Sequence, residues 1–303
     1  MVIRMSGVTH MRSYLLLIAA LLLGAGVANS QEQARVVNLY DAFGAPSSLK
    51  KDWGFAALVE YGGRRILFDT GNNADVFEHN VKELGVDLRN LDAVVISHRH
   101  GDHTSGLTYL LEVNPDVIIY TPVEPAFFNS PLPLAFLEPA PGLPKDLRYF
   151  EGQRPERLLS GSPWRNAHFS AVAATKEIFP GFHVIVTQSD KPGTLEMNEL
   201  SLAVSTPEGL AVIVGCSHPG IEKILSAAAR IDPRLYTAIG GFHMVLTPDS
   251  EIRRVVSVLH DKLRLQRVAP AHCTSELGFS RFMEAYKDRY DRAGLGSTVP
   301  LPH

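Results

Sequence analysis

The run Ser97-His98-Arg99-His100-Gly101-Asp102-His103 decides how this chain reads. It sets three imidazoles and a carboxylate in an H-x-H-x-D-H order, directly behind the apolar stretch Leu91-Asp92-Ala93-Val94-Val95-Ile96. A short apolar stretch rich in β-branched residues predicts a buried strand. Side chains two apart along an extended segment point the same way, so His98 and His100 can share one metal ion. Gly101 is expected to let the backbone turn, so that Asp102 and His103 face a second position close by. Imidazole nitrogens with a carboxylate suit a borderline ion such as zinc and leave a coordination position open for water. The helical H-E-x-x-H pattern of other zinc enzymes is absent from the sequence.

The first thirty residues read differently from the rest. Arg4 and Arg12 precede the uncharged stretch Leu15 to Val27, and Ala28-Asn29-Ser30 offers small residues at a cleavage position. This predicts a secretory signal peptide over residues 1–30, because the apolar core is short and ends in Gly24, Gly26 and small residues. An uncleaved membrane anchor is the alternative. The mature chain expected from residue 31 to 303 is then periplasmic or secreted, and its roughly 270 residues suit one large α/β domain or two small ones. At 45% hydrophobic residues it can bury a full core. The formal charge of −3 falls by two more units once Arg4 and Arg12 are removed. That balance carries none of the basic surface of a nucleic-acid binder. A small-molecule substrate is the expected partner, with no membrane partner for the mature form and the oligomeric state left open.

Strand-like segments open the mature chain at Ala34 to Asn38, Ala56 to Tyr61 and Arg64 to Phe68, joined by loops that hold glycine, proline and aspartate. Asn72 or Asn73 can cap a helix from Ala74 to Leu84, where Val76, Phe77, Val81 and Leu84 recur at helical spacing. After the motif a helix is expected over Thr104 to Val113, then a strand over Val117 to Tyr120. From about 121 to 162 eight prolines interleave with phenylalanines, which predicts a long irregular insertion, either a lid over a substrate or a surface excursion. Further strands are expected at His183 to Thr187, Leu200 to Val204, Ala211 to Val214, Leu235 to Ile239 and Arg267 to Ala269. Helices are expected at Gly220 to Ile231, Ser250 to Leu263 and Glu276 to Asp288. Two sheets with outer helices fit this order, a four-layer αββα sandwich of the α/β class with its site at the sheet edge.

Three later loops each carry a histidine directly after an expected strand: Gly215-Cys216-Ser217-His218, Gly240-Gly241-Phe242-His243 and Pro270-Ala271-His272-Cys273-Thr274. Strand-end loops are where the remaining ligands of a two-ion site can converge. His218 and His272 are read as ligands, and His243 as either a ligand or a substrate-facing group. His79, His168, His183 and His260 have no such setting. Cys216 and Cys273 are the only cysteines. They can pair in a disulfide, pack as small buried residues, or offer Cys216 as a thiolate ligand.

Phe68-Asp69-Thr70-Gly71, the His98 to His103 motif and the later glycine–histidine loops together resemble the metallo-β-lactamase superfamily. The strings GCSHPGI, GGFHM and PAHCT resemble more closely its branch named for 7,8-dihydropterin-6-methyl-4-(β-D-ribofuranosyl)-aminobenzene-5′-phosphate synthase. The resemblance spans about residues 35 to 285, with the insertion matched least. It implies His98 and His100 as ligands of a first ion, Asp102 and His103 as ligands of a second, Asp69 as a support behind them, and His218 and His272 as the later ligands. Where the superfamily places a bridging aspartate this chain has Cys216. Either Cys216 bridges, or a solvent species bridges alone, or His218 and His243 reorganise the centre. The ion is expected to be zinc, one or two per chain, with manganese and iron left open. A diiron redox centre fits poorly, because such relatives carry an acidic residue where His100 stands.

The expected function is an exported hydrolase using a metal-bound hydroxide on an ester, lactone, lactam or phosphoester, with Asp102 orienting the nucleophile and His243 donating to the developing oxyanion. One alternative is a pterin-linked synthase like the branch's namesake, against which the export signal argues. The other is a non-catalytic metal-containing binding module.

Overall fold

The computed structural model describes residue 2 and residues 33–124, 141–153, 163–190 and 197–303, with short pieces at 127, 130–131, 137, 155–156 and 159–160. The expected signal peptide, residue 2 apart, lies outside the described residues, and so does much of the proline-rich insertion. Among the described residues no helix is long and apolar enough to cross a membrane.

The chain begins with β1 (Arg35–Tyr40), β2 (Ala56–Tyr61) and β3 (Arg64–Phe68), an antiparallel meander. Helix α1 (Ala74–Glu83) follows, capped by Asn73, whose side chain accepts from the backbone N–H groups of Asp75 and Val76. Next come β4 (Ala93–Val95), the short helices α2 (Gly101–Thr104) and α3 (Leu107–Val113), and β5 (Ile118–Pro122). Strands β6 (Ser130–Pro131) and β7 (Leu159–Ser160) form a separate antiparallel pair. After them β8 (His168–Val172) joins β5 in parallel. The remaining chain supplies β9 (Lys176–Phe179), β10 (Phe182–Gln188), β11 (Asn198–Thr206), β12 (Gly209–Val214), α4 (Ile221–Ala228), β13 (Leu235–Gly241), α5 (Asp249–Ser257), β14 (Arg267–Ala271) and α6 (Glu276–Tyr286). Finally β15 (Thr298–Pro300) returns to pair with β1.

One sheet runs β15-β1-β2-β3-β4-β5-β8 and the other β14-β13-β12-β11-β10-β9. Alternation along each strand explains how four layers arise. In β2, Ala57 and Val59 face the other sheet, while Ala56 and Leu58 face the outer helices. In β12, Ala211 and Ile213 face inward, and Leu210, Val212 and Val214 pack under α4 and α5 with Ile221, Leu225 and Ile252. Both faces of each sheet are therefore apolar, and each needs a covering layer. The result is the expected αββα sandwich. Phe68 lies wholly buried between the sheets, where truncation to alanine would cost about 3–5 kcal/mol.

The parallel order places the site. β3 and β4 are parallel neighbours in one sheet, and β12, β13 and β14 are parallel neighbours in the other. The loops leaving their carboxyl ends carry Asp69, His98, Cys216, His243 and His272 respectively.

Two local expectations change. The helix expected over 104–113 is broken into α2 and α3 at Ser105 and Gly106, where a Cβ on Gly106 would stand 2.1 Å from Thr70 O. The turn expected at Gly101 is the start of α2. The helix expected to reach Leu263 is α-helical only to Ser257 and continues as a π-turn over Val258–Lys262.

Candidate metal centre

His98 is sealed at the foot of the site. Its Nδ1 lies 2.8 Å from Ser97 Oγ, which donates to Asp69 Oδ2 at 2.7 Å. Asp69 also accepts from Ser97 N at 2.7 Å and lies 2.7 Å from His103 Nδ1. A fully buried carboxylate thus fixes one face of two imidazoles and leaves each Nε2 pointing into a common space. Asp69 has φ of 57°, a left-handed backbone uncommon for a side-chain-bearing residue. Gly215 lets the second sheet close over this arrangement, since a Cβ there would stand 2.2 Å from Ser97 Oγ.

A second buried carboxylate does the same work from the other sheet, and sequence reasoning missed it. Glu199 on β11 accepts from the backbone N–H groups of Cys216, Ser217 and His218 at 3.1, 2.7 and 2.8 Å, and lies 3.2 Å from His218 Nδ1. Burial works to raise its pKa, but His218 and these N–H donors hold it below the ordinary carboxylate range. A third, Asp41, accepts from His272 N at 3.0 Å and from Asn38 Nδ2 at 3.1 Å; burial lifts it to about 7. The available signal was an acidic residue inside, or just after, an otherwise apolar strand.

The motif and the later loops do meet. His98 Nε2 is 3.1 Å from His100 Nδ1, and the His98 and His218 rings lie 4.6 Å apart. Ligand atoms of His98, Cys216 and His218 fall within 4.8 Å of one another, and so do those of Asp102, His103, Cys216 and His272. His100 borders the first group, its ring 4.9 Å from that of His218. Cys216 belongs to both groups, with Sγ 3.2 Å from His103 Nε2. Asp102 Oδ2 stands 3.4 Å from His272 Nε2 and 3.7 Å from His103 Nε2. The His243 ring lies 4.4 Å from that of His218, on the exposed side. Both cysteines are free and buried.

This donor set suits a metal ion. His272 Nδ1 is buried without a hydrogen-bond partner, and its Nε2 has only the Asp102 carboxylate at 3.4 Å, outside good hydrogen-bond geometry; leaving such a group unsatisfied costs roughly 1–3 kcal/mol. Burial, then the neighbouring imidazoles of His103, His218 and His100, holds His98 well below the ordinary imidazole range, so its ring is a neutral donor. Burial would lower His103 too, but Asp69 outweighs it and lifts that ring to about 9. Burial works to raise Asp102, yet His272 and His103 hold its carboxyl below the usual range. Nitrogen, carboxylate and sulfur donors converging from two sheets match a borderline divalent ion.

Two sheets covered by helices, with histidine, aspartate and cysteine side chains able to hold a metal gathered at the ends of their parallel strands, define a protein of the αββα type. The chain belongs to the metallo-β-lactamase superfamily, whose family model matches residues 54–209. Among curated proteins it is similar to 7,8-dihydropterin-6-methyl-4-(β-D-ribofuranosyl)-aminobenzene-5′-phosphate synthase of Methanocaldococcus jannaschii, at 27% identity over 86% of this chain and 93% of that one. Among solved structures it resembles a metal-dependent hydrolase of the β-lactamase superfamily, at 26% identity and a TM-score of 0.66 over 89% of this chain and 99% of that one. The short form of human tRNase Z shares the fold, at 14% identity and a TM-score of 0.50 over 89% of this chain and 100% of that one.

Proposed function

We propose that this chain is an exported metal-dependent hydrolase acting on a small-molecule ester, lactone, lactam or phosphoester. One observation carries the reading: Cys216 is a common corner of two ligand clusters, one otherwise built from His98 and His218 and the other from Asp102, His103 and His272. His98, His100 and His218 would hold one ion, and Asp102, His103 and His272 the other, with Cys216 in the place of a bridging carboxylate. Zinc bound there would supply Lewis acidity and bring the pKa of a water down toward about 7.

The protein's own groups then divide the work. Asp102 keeps a side-chain exposure of 20% while the Asp69 and His103 side chains have none. It is the carboxylate able to orient an attacking water and take its proton. His243 faces solvent beside His218 and can donate to negative charge developing on a substrate oxygen. Asp69 and Glu199 hold His103 and His218 in the tautomer that leaves Nε2 free.

Purified protein reconstituted with zinc is expected to turn over at least one member of a panel of esters, lactones, β-lactams and phosphodiesters, and to lose that turnover on chelation. Turnover that survives complete removal of metal would sink the reading. The likeness to the archaeal synthase supports a second reading, pterin-linked synthesis. Product formation from a dihydropterin and an aminobenzene ribofuranosyl phosphate, with no hydrolysis across the panel, would select it instead. Export rests on the sequence of residues 1–30 alone; a secreted or periplasmic protein beginning near Gln31, read by terminal sequencing after cell fractionation, is the expected result.

A further inference from the structure

Cys216, His243 and Cys273 form a third donor group, in which one ligand atom from each lies within 4.8 Å of the others. The two-ion arrangement leaves Cys273 without a role. Its thiol and that of Cys216 are the whole cysteine complement of the chain, and they arrive from different strand ends. β13 lies between β12 and β14 in the sheet, so the loops bearing Cys216, His243 and Cys273 leave three adjacent parallel strands side by side.

The convergence is built into the backbone. A Cβ on Gly241 would stand 2.7 Å from Cys273 Sγ and 2.5 Å from Gly215 O, so only glycine leaves room for the sulfur. Met244 N donates to Cys273 O at 2.9 Å, which ties the His243 loop to the Cys273 loop. His243 adopts φ of 50°, a conformation that a residue with a side chain holds only when its surroundings impose it. Cys273 Sγ donates to Cys216 O at 3.5 Å. Both sulfurs are buried while His243 is exposed, so the group is open to solvent at its imidazole and closed at its thiols.

We propose that Cys216, His243 and Cys273 form a third, thiolate-rich ion site that shares Cys216 with the histidine–aspartate centre and is selective for thiophilic ions such as cadmium or copper(I). Two sulfurs and one imidazole are the donors such ions prefer, and the second sulfur distinguishes this site from the two clusters in which Cys216 stands among nitrogen and oxygen donors. Binding displaces the two thiol protons to solvent. The site goes beyond the hydrolase reading and depends on it only in sharing Cys216.

Cadmium is the probe, and the full chain stripped of metal is the sample. Equilibrium dialysis is expected to find one more cadmium ion per chain in the wild type than in Cys273→Ser. The thiolate-to-cadmium charge-transfer absorbance should fall in the same variant. His243→Ala, at an exposed position, is expected to lose the same ion, and it keeps the test decisive if Cys273→Ser does not fold. Equal cadmium counts in the wild type and in the folded variants overturn the proposal. Hydrolysis is not read in this experiment, so an inactive protein with the full cadmium count would tell against the hydrolase alone.

Discussion

Asp102 keeps one edge of its carboxylate toward solvent, unlike the buried Asp69 and Glu199, while His272 and His103 crowd the other edge. Asp102→Asn keeps the shape and an acceptor oxygen but removes the base. Its turnover is expected to fall by about 10²–10⁴-fold, the usual worth of a positioned proton acceptor; steady-state rates at matched metal content check this. Glu199 touches no substrate, and its effect passes through His218 and the Cys216 loop. Glu199→Gln is expected to weaken metal affinity by about 10–100-fold, read by competition with a chromophoric chelator, with a smaller change in the rate of the metal-saturated protein. His98, His100, Asp102 and His103 were legible in the sequence because they sit together in it. Glu199 was not, because its partners lie 17 to 19 positions away and meet it only across a sheet.

The elements carry their own signals. Asn73 caps α1 through two backbone N–H groups, so Asn73→Ala should cost about 1 kcal/mol, measured by urea unfolding. Gly241 is a sharper case. An alanine Cβ would meet Gly215 O at 2.5 Å, backbone that cannot yield, so Gly241→Ala is expected to lower the melting temperature and the bound metal together. The main strands were readable from runs of apolar residues, since each is buried on two faces. β9 reads Lys176-Glu177-Ile178-Phe179 and is half exposed, and β15 is three residues at a sheet edge. Neither has enough buried pattern to separate it from loop.

At the scale of the molecule, the two sheets are joined at their site end by side chains drawn from both, and ions bound there would act as a clamp. A ligand present at 100 times its Kd stabilises by about 2.7 kcal/mol when it binds only the folded chain. Zinc-loaded protein should therefore melt at a higher temperature than chelated protein, and scanning fluorimetry with and without chelator tests it. An unchanged melting temperature would mean that no ion binds the folded state in preference to the unfolded one.

The sequence by itself determined the αββα order of elements and the cluster from His98 to His103. It did so because hydrophobic period and ligand spacing are local properties, written in consecutive residues. Which histidines gather in which group, and that Cys216 stands at the corner of all three, was decided only by the tertiary structure. That meeting depends on five parallel strands in two sheets ending at one edge, and sheet register is a property of pairing between segments that no single segment contains.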